Sequence, residues 1–411
     1  MLKRAVIFSF ALVALFAIAG CNGDKKPKRG KNEVVVISYN VDADESTLIN
    51  RGPLMTDLIN TLYPDSVGFQ EARPGWLHLL TKNLKAYSYV GVSADGSNPH
   101  PGSFGNYIFY LKDKYEVVLS GNYWHSDTPL IPSIYPGADC NRYCVWAIFK
   151  NKKTGTMYAH INTHLNWLPN KKATEAGARM VRSMADALSE MGIPVFVTGD
   201  FNDGENSNTY KIMTEGIFGD SKFLTEDTMN VGTYPHYGDY DPYKENPNVI
   251  DYIFVTEEKV EVLQYRVLDE RPGGEYISDH FGIYVMARIP EDKVQNRFTL
   301  KEKPSFPEDS YIKISRITKS DAVITFSKAV DDFYVDYYEV KVMNEEGKVV
   351  YKNQVSSGLY HGDILDELEI KITKGRLDPG KKYYVEVYAT NLFGNTCDKP
   401  LKTEFASAED A

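Results

Sequence analysis

IPVFVTGDFND, residues 193–203, sets the reading of the whole chain. Six mostly apolar residues, Ile193 to Thr198, run without alternation into Gly199, and Asp200, Asn202 and Asp203 then fall within four positions. An apolar run with no polar face reads as a strand covered on both sides. A covered strand that ends in acid, amide and acid delivers those groups to one edge of a sheet. VVVISYN (34–40), SVGFQE (66–71) and MYAHINTHL (157–165) repeat the pattern, each closing on polar residues.

Helices fit between these runs. Pro53 to Leu62 carries Leu54, Leu58 and Leu62 at helical spacing with Pro53 suited to a first turn, and Thr174 to Met191 carries Met180, Met184, Ala187 and Leu188. NYIFYLK (106–112), YEVVLSG (115–121) and CVWAIFK (144–150) follow each other through short turns, which predicts antiparallel pairs. Outer helices around mixed strands make an α/β sandwich rather than a doubly wound parallel sheet. IDYIFV (250–255) and SDHFGIYV (278–285) invert the rule, with Asp251, Asp279 and His280 at the start of the run. If these strands run opposite to the others, every polar terminus meets at one end.

The 411 residues are 43% hydrophobic, enough for one large core or two domains. Net charge is −10, and removal of Lys3 and Arg4 with a leader takes it to −12. An acidic body gains nothing from attraction to a phosphate backbone, which disfavours nucleic acid as a partner without excluding it. The leader spans residues 1–20: a basic start, then an apolar run too short for a comfortable membrane span. IAGC, ending at Cys21, resembles the bacterial lipoprotein signal, which implies an acyl anchor on Cys21, a membrane partner and the bacterial cell envelope, periplasmic or surface-exposed; a plain signal peptide is the alternative. Residues 21–32, with Lys25, Lys26, Lys28, Arg29 and Lys31, read as a solvated tether.

Cys140 and Cys144 in DCNRYC are close enough for a small-loop disulfide in an oxidising compartment, against two reduced residues near a loop. Beyond a charged, proline-bearing linker at 291–309, residues 310–406 show the strand cadence of a β-sandwich. LDPGKKYYVEVYATNLFGN there resembles the late strands of a fibronectin type III domain, with Leu377, Pro379, Gly380 and Tyr383 matching its tyrosine-corner pattern.

Asn40, Glu71, His164, Asp200, Asn202, Asp251, Asp279 and His280 together hold the parts for metal-assisted hydrolysis of a phosphate ester. A hard cation such as Mg²⁺ takes oxygen ligands, with Glu71 the best candidate. A carboxylate or imidazole holds the attacking water, and amides and histidines donate to the charge that develops on phosphoryl oxygens.

SYN at Asn40, FQE at Glu71, NTHL at His164, GDFN at 199–202, IDYIF at 250–254 and SDHF at 278–281 resemble the ordered motif series of the endonuclease/exonuclease/phosphatase superfamily. The resemblance covers 33–290 and implies the DNase I-like four-layer α/β sandwich, followed by the small all-β sandwich. It implies that Glu71 binds Mg²⁺ (or Mn²⁺) with Asn40 and Asp279 near it, that Asp200 orients or activates water, and that Asn202 holds nucleophile or phosphate. His280 then contacts the scissile phosphate or moves a proton with Asp251 fixing its tautomer, and His164 supports phosphate or leaving group; which histidine is acid or base stays open. Asn106 in GNYIFY matches a phosphate-contacting position.

Simpler readings exist for several of these residues. Asp203 with Gly204 reads as a turn, and His160 with His164 reads as one strand face rather than a zinc pair. The loop GTYPHYGDYDPYKENPN (232–248) brings Tyr234 and His236 as substrate-binding candidates, whose aromatic faces suit a sugar or base. ADGSNPHPGSFG (94–105) shapes a rim, and neither loop is rich in lysine or arginine. A compact phosphate ester, sugar- or lipid-linked, is therefore expected; a secreted nuclease and a non-catalytic adhesion lipoprotein are the alternatives.

Overall fold

The computed structural model describes residues 27–96, 103–167, 169–291, 301–373 and 375–409. The leader, residues 21–26 of the tether with Cys21, residues 97–102 of the rim loop with His100, and residues 292–300 of the linker lie outside the described residues.

Two six-stranded sheets face each other. The first orders β11 (Glu261–Leu268), β12 (Gly282–Arg288), β1 (Glu33–Asn40), β2 (Ser66–Ala72), β4 (Gly105–Leu111) and β3 (Tyr87–Ser93). The second orders β5 (Tyr115–Trp124), β6 (Tyr143–Asn151), β7 (Met157–His164), β8 (Val195–Asp200), β10 (Asp251–Thr256) and β9 (Phe218–Asp220). Helices α1 (Leu48–Leu62) and α2 (Pro74–Asn83) cover the first sheet through Met55, Ile59, Trp76 and Leu80, while α3 (Lys171–Glu190) covers the second through Met180, Met184 and Leu188. This is the expected α/β sandwich of DNase I-like type.

Strand direction gathers the polar ends. β1 runs parallel to β2 and β7 parallel to β8, so Asn40, Glu71, His164 and Asp200 emerge at the same pole. β10 is antiparallel to β8 with Asp251 opposite Asp200, and β12 is antiparallel to β1, which returns the inverted runs to that pole. Between the sheets a polar seam locks their register: His160 bridges Ser66 and Thr198 at 2.9 and 2.8 Å, and Asn162 Oδ1 accepts from Gln70 Nε2 at 2.6 Å. Gly68 sits in this seam, where an added Cβ would lie 2.3 Å from Thr198 Oγ1. His160 is thus a fully bonded core residue and no metal ligand.

Four expectations need correction. NYIFYLK and YEVVLSG are not a pair: β4 bonds β2 and β3, and the short turn after Leu111 crosses to the other sheet. Helix α1 begins at Leu48, a turn and more before Pro53, because Thr47 O accepts from both Asn50 N and Arg51 N and starts the spiral without help from proline. Cys140 and Cys144 are free thiols. Alternation along β6 turns Tyr143 and Val145 inward and Cys144 outward under α3, whereas Cys140 lies in the preceding loop beside Asp139. Arg29 is not solvated: its guanidinium pairs with buried Asp65 at 2.6 Å and donates to Leu62 O and Tyr63 O.

The remaining strands form two antiparallel sheets packed on one apolar cluster: β13 (Ile312–Ser315), β14 (Ala322–Ser327) and β17 (Glu367–Ile372) against β16 (Val349–Ser356), β15 (Val335–Met343), β18 (Lys382–Asn391) and β19 (Leu401–Ala406). Tyr383 Oη accepts from Asp378 N at 2.7 Å, closing the corner that leads into β18.

Candidate active site

Glu71 owes its direction to a break in β2. The pairing with β4 shifts between Phe69 and Ala72, and Glu71 itself sits at φ 61°, a left-handed conformation that a glutamate adopts only where its surroundings impose it. Its Oε1 accepts from Asn40 Nδ2 at 3.1 Å and its Oε2 from Ala43 N at 2.9 Å. The side chain keeps 26% exposure beside fully buried neighbours, so one face of the carboxylate remains open.

Asp200, at the end of β8, is the hub. Asn40 Nδ2 donates to its Oδ2 at 3.0 Å and Asn202 N to its Oδ1 at 2.9 Å. Burial raises its pKa to about 7, with Asp251 adding to the rise and His280 opposing it. Asn202, at φ 51°, turns its amide back so that Nδ2 donates to Leu165 O at 3.1 Å and to His164 Nε2 at 2.9 Å. This bond assigns the tautomer. His164 Nε2 accepts, so Nδ1 carries the proton; Nδ1 is buried, has no partner among the described residues, and lies 3.8 Å from Glu71 Oε1. Burial holds His164 neutral, with the charges of Arg142 and His280 acting in the same sense.

His280 is its electrostatic opposite. Nδ1 donates to Asp251 Oδ2 at 2.8 Å, and Nε2 lies 3.7 Å from Asp200 Oδ2. Burial works against its cation, but Asp251, Asp200 and Asp279 outweigh it and push the pKa to about 10. Thr233 Oγ1 fixes Asp251 by accepting from its N at 3.1 Å, and Ser278 Oγ links His280 N to Asn40 O.

Among the described residues, two sets of side chains bring ligand atoms within 4.8 Å of one another: Glu71, His164 and Asp200, and Asp200, Asp251 and His280. Asp279 falls outside both sets. Burial raises its pKa, the charges of Asp42 and Glu71 add to the rise, and His280 opposes it, so Asp279 still lies within electrostatic reach of the group. Asn40 spends its amide on orienting Glu71 and Asp200, and its Oδ1 accepts from Asp42 N at 3.0 Å. Asn106 is buried and gives Nδ2 to Tyr143 O at 3.1 Å, which braces β6, while its Oδ1 is buried with no partner among the described residues. Tyr234 stands against His280, 4.7 Å between rings, and His236 N donates to Asp279 O at 3.0 Å, so both loop candidates do border the site.

Three contributors escaped the sequence. Arg51 staples the loop after β1 by donating to Val41 O and Ile277 O at 2.7 and 3.2 Å. Arg142 pairs with Asp139 at 2.5 Å three residues away, a spacing visible in DCNRYC but overshadowed there by the cysteines. Thr233 sits inside the tyrosine loop, next to Tyr234, with no signal of its own.

The family profile described as "Endonuclease/Exonuclease/phosphatase family" matches residues 37–280. The chain belongs to the endonuclease/exonuclease/phosphatase family. It is a hydrolase acting on phosphoester bonds, in a family typically dependent on divalent metal. No curated protein matches the chain. Among solved structures, an endonuclease/exonuclease/phosphatase family protein from Bacteroides thetaiotaomicron is 28% identical with a TM-score of 0.55, covering 63% of this chain and 98% of that one. A mannosyl-6-phosphatase from the same organism is 29% identical with a TM-score of 0.55, covering 62% and 99%. A family member from Bacteroides vulgatus is 27% identical with a TM-score of 0.55, covering 63% and 100%.

Proposed function

We propose that this protein is a Mg²⁺-dependent phosphoesterase of the bacterial envelope that hydrolyses a compact, sugar-linked phosphate ester. The observation that carries this reading is the convergence, at one pole, of an open carboxylate (Glu71), a carboxylate poised near neutrality (Asp200) and a cationic imidazole (His280). The likeness to a mannosyl-6-phosphatase supports the substrate class. So does the border of the site, where the rings of Tyr234, His236 and Tyr240 meet in tilted contacts within 5.9 Å of each other, beside the acids Asp42, Asp239 and Asp279, of which Asp42 pairs with Arg51.

The residues fit a hard cation. Glu71 offers an unshared carboxylate face and Asp279 a second carboxylate within electrostatic reach, while Asn40, whose Nδ2 donates to Glu71 and Asp200, holds the donors in place. When bound, the metal polarises the phosphoryl oxygen and neutralises charge on it. Asp200 accepts the proton of the attacking water, as a carboxylate with a pKa near 7 can at neutral pH. Asn202 holds the water or a phosphate oxygen. His164 presents its free Nδ1–H, and His280 its Nε2–H, to oxygens that gain charge as the bond breaks.

Acyl anchoring at Cys21 and a fibronectin type III-like module at 310–406 complete the proposal. The three- and four-stranded antiparallel sheets and the Tyr383 corner support the second of these. The test is turnover by protein lacking residues 1–21, with Mg²⁺ and then with chelator, on mannose 6-phosphate, a generic phosphodiester and plasmid DNA. Metal-dependent release of phosphate from the sugar is expected; nicking of DNA without sugar phosphate turnover overturns the substrate assignment.

A further inference from the structure

The C-terminal sheets reach the hydrolase body through Leu392, through Tyr334, which donates to Glu190 of α3, and through one turn. Leu359–His361 form a 3₁₀ turn between Gly358 and Gly362, both at positive φ (95° and 71°). Leu359 and Tyr360 are buried in the same cluster as Met180, Met184 and Leu188 of α3, and Ser183 Oγ donates to Leu359 O at 2.5 Å. The Tyr360 ring stacks on Tyr123 near the end of β5, 4.5 Å between centroids, with its hydroxyl fixed by Asp336 Oδ1 at 2.7 Å. His361 Nε2 lies 3.1 Å from Ser126 O.

Ser126 is the root of the loop 125–142. Its Oγ accepts from Thr128 N at 3.1 Å and meets Ser133 Oγ at 2.5 Å, and Ser133 donates onward to Thr128 O and Ile131 O. His125 N to Arg142 O, 2.8 Å, closes the loop. Its far half abuts the segment that follows His164. Asp139 N donates to Asn166 Oδ1 at 3.0 Å and Asn170 Nδ2 to Pro136 O at 3.2 Å, tying it to the segment after His164, whose Leu165 is pinned between Asp200 and Asn202. Ile131, Ile134 and Trp167, 59%, 49% and 62% exposed, give this joint rim an apolar face.

We propose that Tyr360 and His361 are positioning residues for the hydrolase, through which the C-terminal module fixes the 125–142 rim and so sets how the non-phosphate part of the substrate is bound. They touch no reacting atom. Glu71, Asp200 and His280 are held by the two-sheet body and do not depend on the rim, so binding changes while the chemical step does not. A spacer on a flexible linker would need none of these contacts, and a rigid dock at the rim's root gives the module a stake in specificity.

This rests on the phosphoesterase reading for its kinetic arm only. His361→Ala removes an exposed ring, and Tyr360→Leu keeps apolar volume while removing the stack. In each, KM for the sugar phosphate is expected to rise roughly threefold to tenfold with kcat within about twofold of the parent. Hydrogen exchange is expected to quicken over residues 127–139 and not across β7 or β8. His361→Gln, which retains a donor toward Ser126 O, is expected to restore both. Unchanged KM and unchanged exchange over 127–139 in both variants overturn the proposal. Should the parent turn over no phosphoester, the function reading fails while the exchange arm still decides this one.

Discussion

Asp251 Oδ2 lies 2.8 Å from His280 Nδ1, and the register that sets Asp251 opposite Asp200 leaves His280 Nε2 3.7 Å from Asp200 Oδ2. One imidazole is thereby held between two buried carboxylates and carries its proton into the neutral range. Asp251→Asn preserves shape but removes the nearer of these charges and the acceptor for Nδ1–H. A fall in kcat of about 10²–10⁴-fold is expected, with circular dichroism unchanged; a loss below about tenfold would remove His280 from the proton path.

Glu71 is bent toward the site at the cost of an unfavourable backbone conformation. Glu71→Gln keeps the size and the acceptor for Ala43 N but loses the charge. Calorimetric titration is expected to show Mg²⁺ binding weakened by about 10–100-fold, with activity lost in parallel and only partly recovered at high Mg²⁺. Undiminished affinity would move the metal elsewhere.

Asp220 tests the electrostatics far from the chemistry. It is buried, and burial raises its pKa to about 7, although Lys222 N and Tyr210 Oη still donate to it. In the unfolded chain an aspartate titrates near about 4. The neutral form therefore favours the fold: this contribution is complete below about pH 4 and lost as pH rises through about 7. Asp220→Asn keeps Oδ1 as the acceptor for Lys222 N, turns an Nδ2 donor toward Tyr210 Oη, which can accept it, and does not titrate. Urea unfolding at pH 5 and pH 9 is expected to show the parent losing stability relative to the variant, on the order of 2 kcal/mol between the two conditions. Equal losses in parent and variant would show that Asp220 does not carry this pH dependence.

The free state of Cys140 and Cys144 is open to direct count. Thiol titration of the denatured, unreduced protein lacking residues 1–21 is expected to find all three remaining cysteines reactive. Cys140→Ser is expected to leave the melting temperature unchanged within about a degree or two, since no loop closure is lost.

Much of the site could be read from residues alone because each covered strand ends abruptly in chemistry: Asp200 after VFVTG, His164 after MYAHINT, Asp251 before YIFV. The gathering of these ends needed strand directions, and the inverted runs supplied them. Other features had no local signature. CVWAIFK is apolar on both faces, since one faces the opposite sheet and the other α3, so nothing in it revealed that Cys144 points away from Cys140. A short turn looks the same whether it closes a hairpin or crosses between sheets, which hid the separation of β4 from β5. The bulge that aims Glu71 and the docking of Tyr360 on Tyr123 depend on partners distant in sequence.

Arg29 fastens the N-terminal arm to Asp65, just ahead of β2, and Asp65 in turn accepts from Val35 N near the start of β1. The catalytic groups stand at the finishing ends of those strands, Asn40 five residues beyond Val35 and Glu71 six beyond Asp65, or about 17–20 Å away. Whatever moors the N-terminus thus grips the protein by its back. With the acyl anchor proposed at Cys21, the site would face away from the membrane.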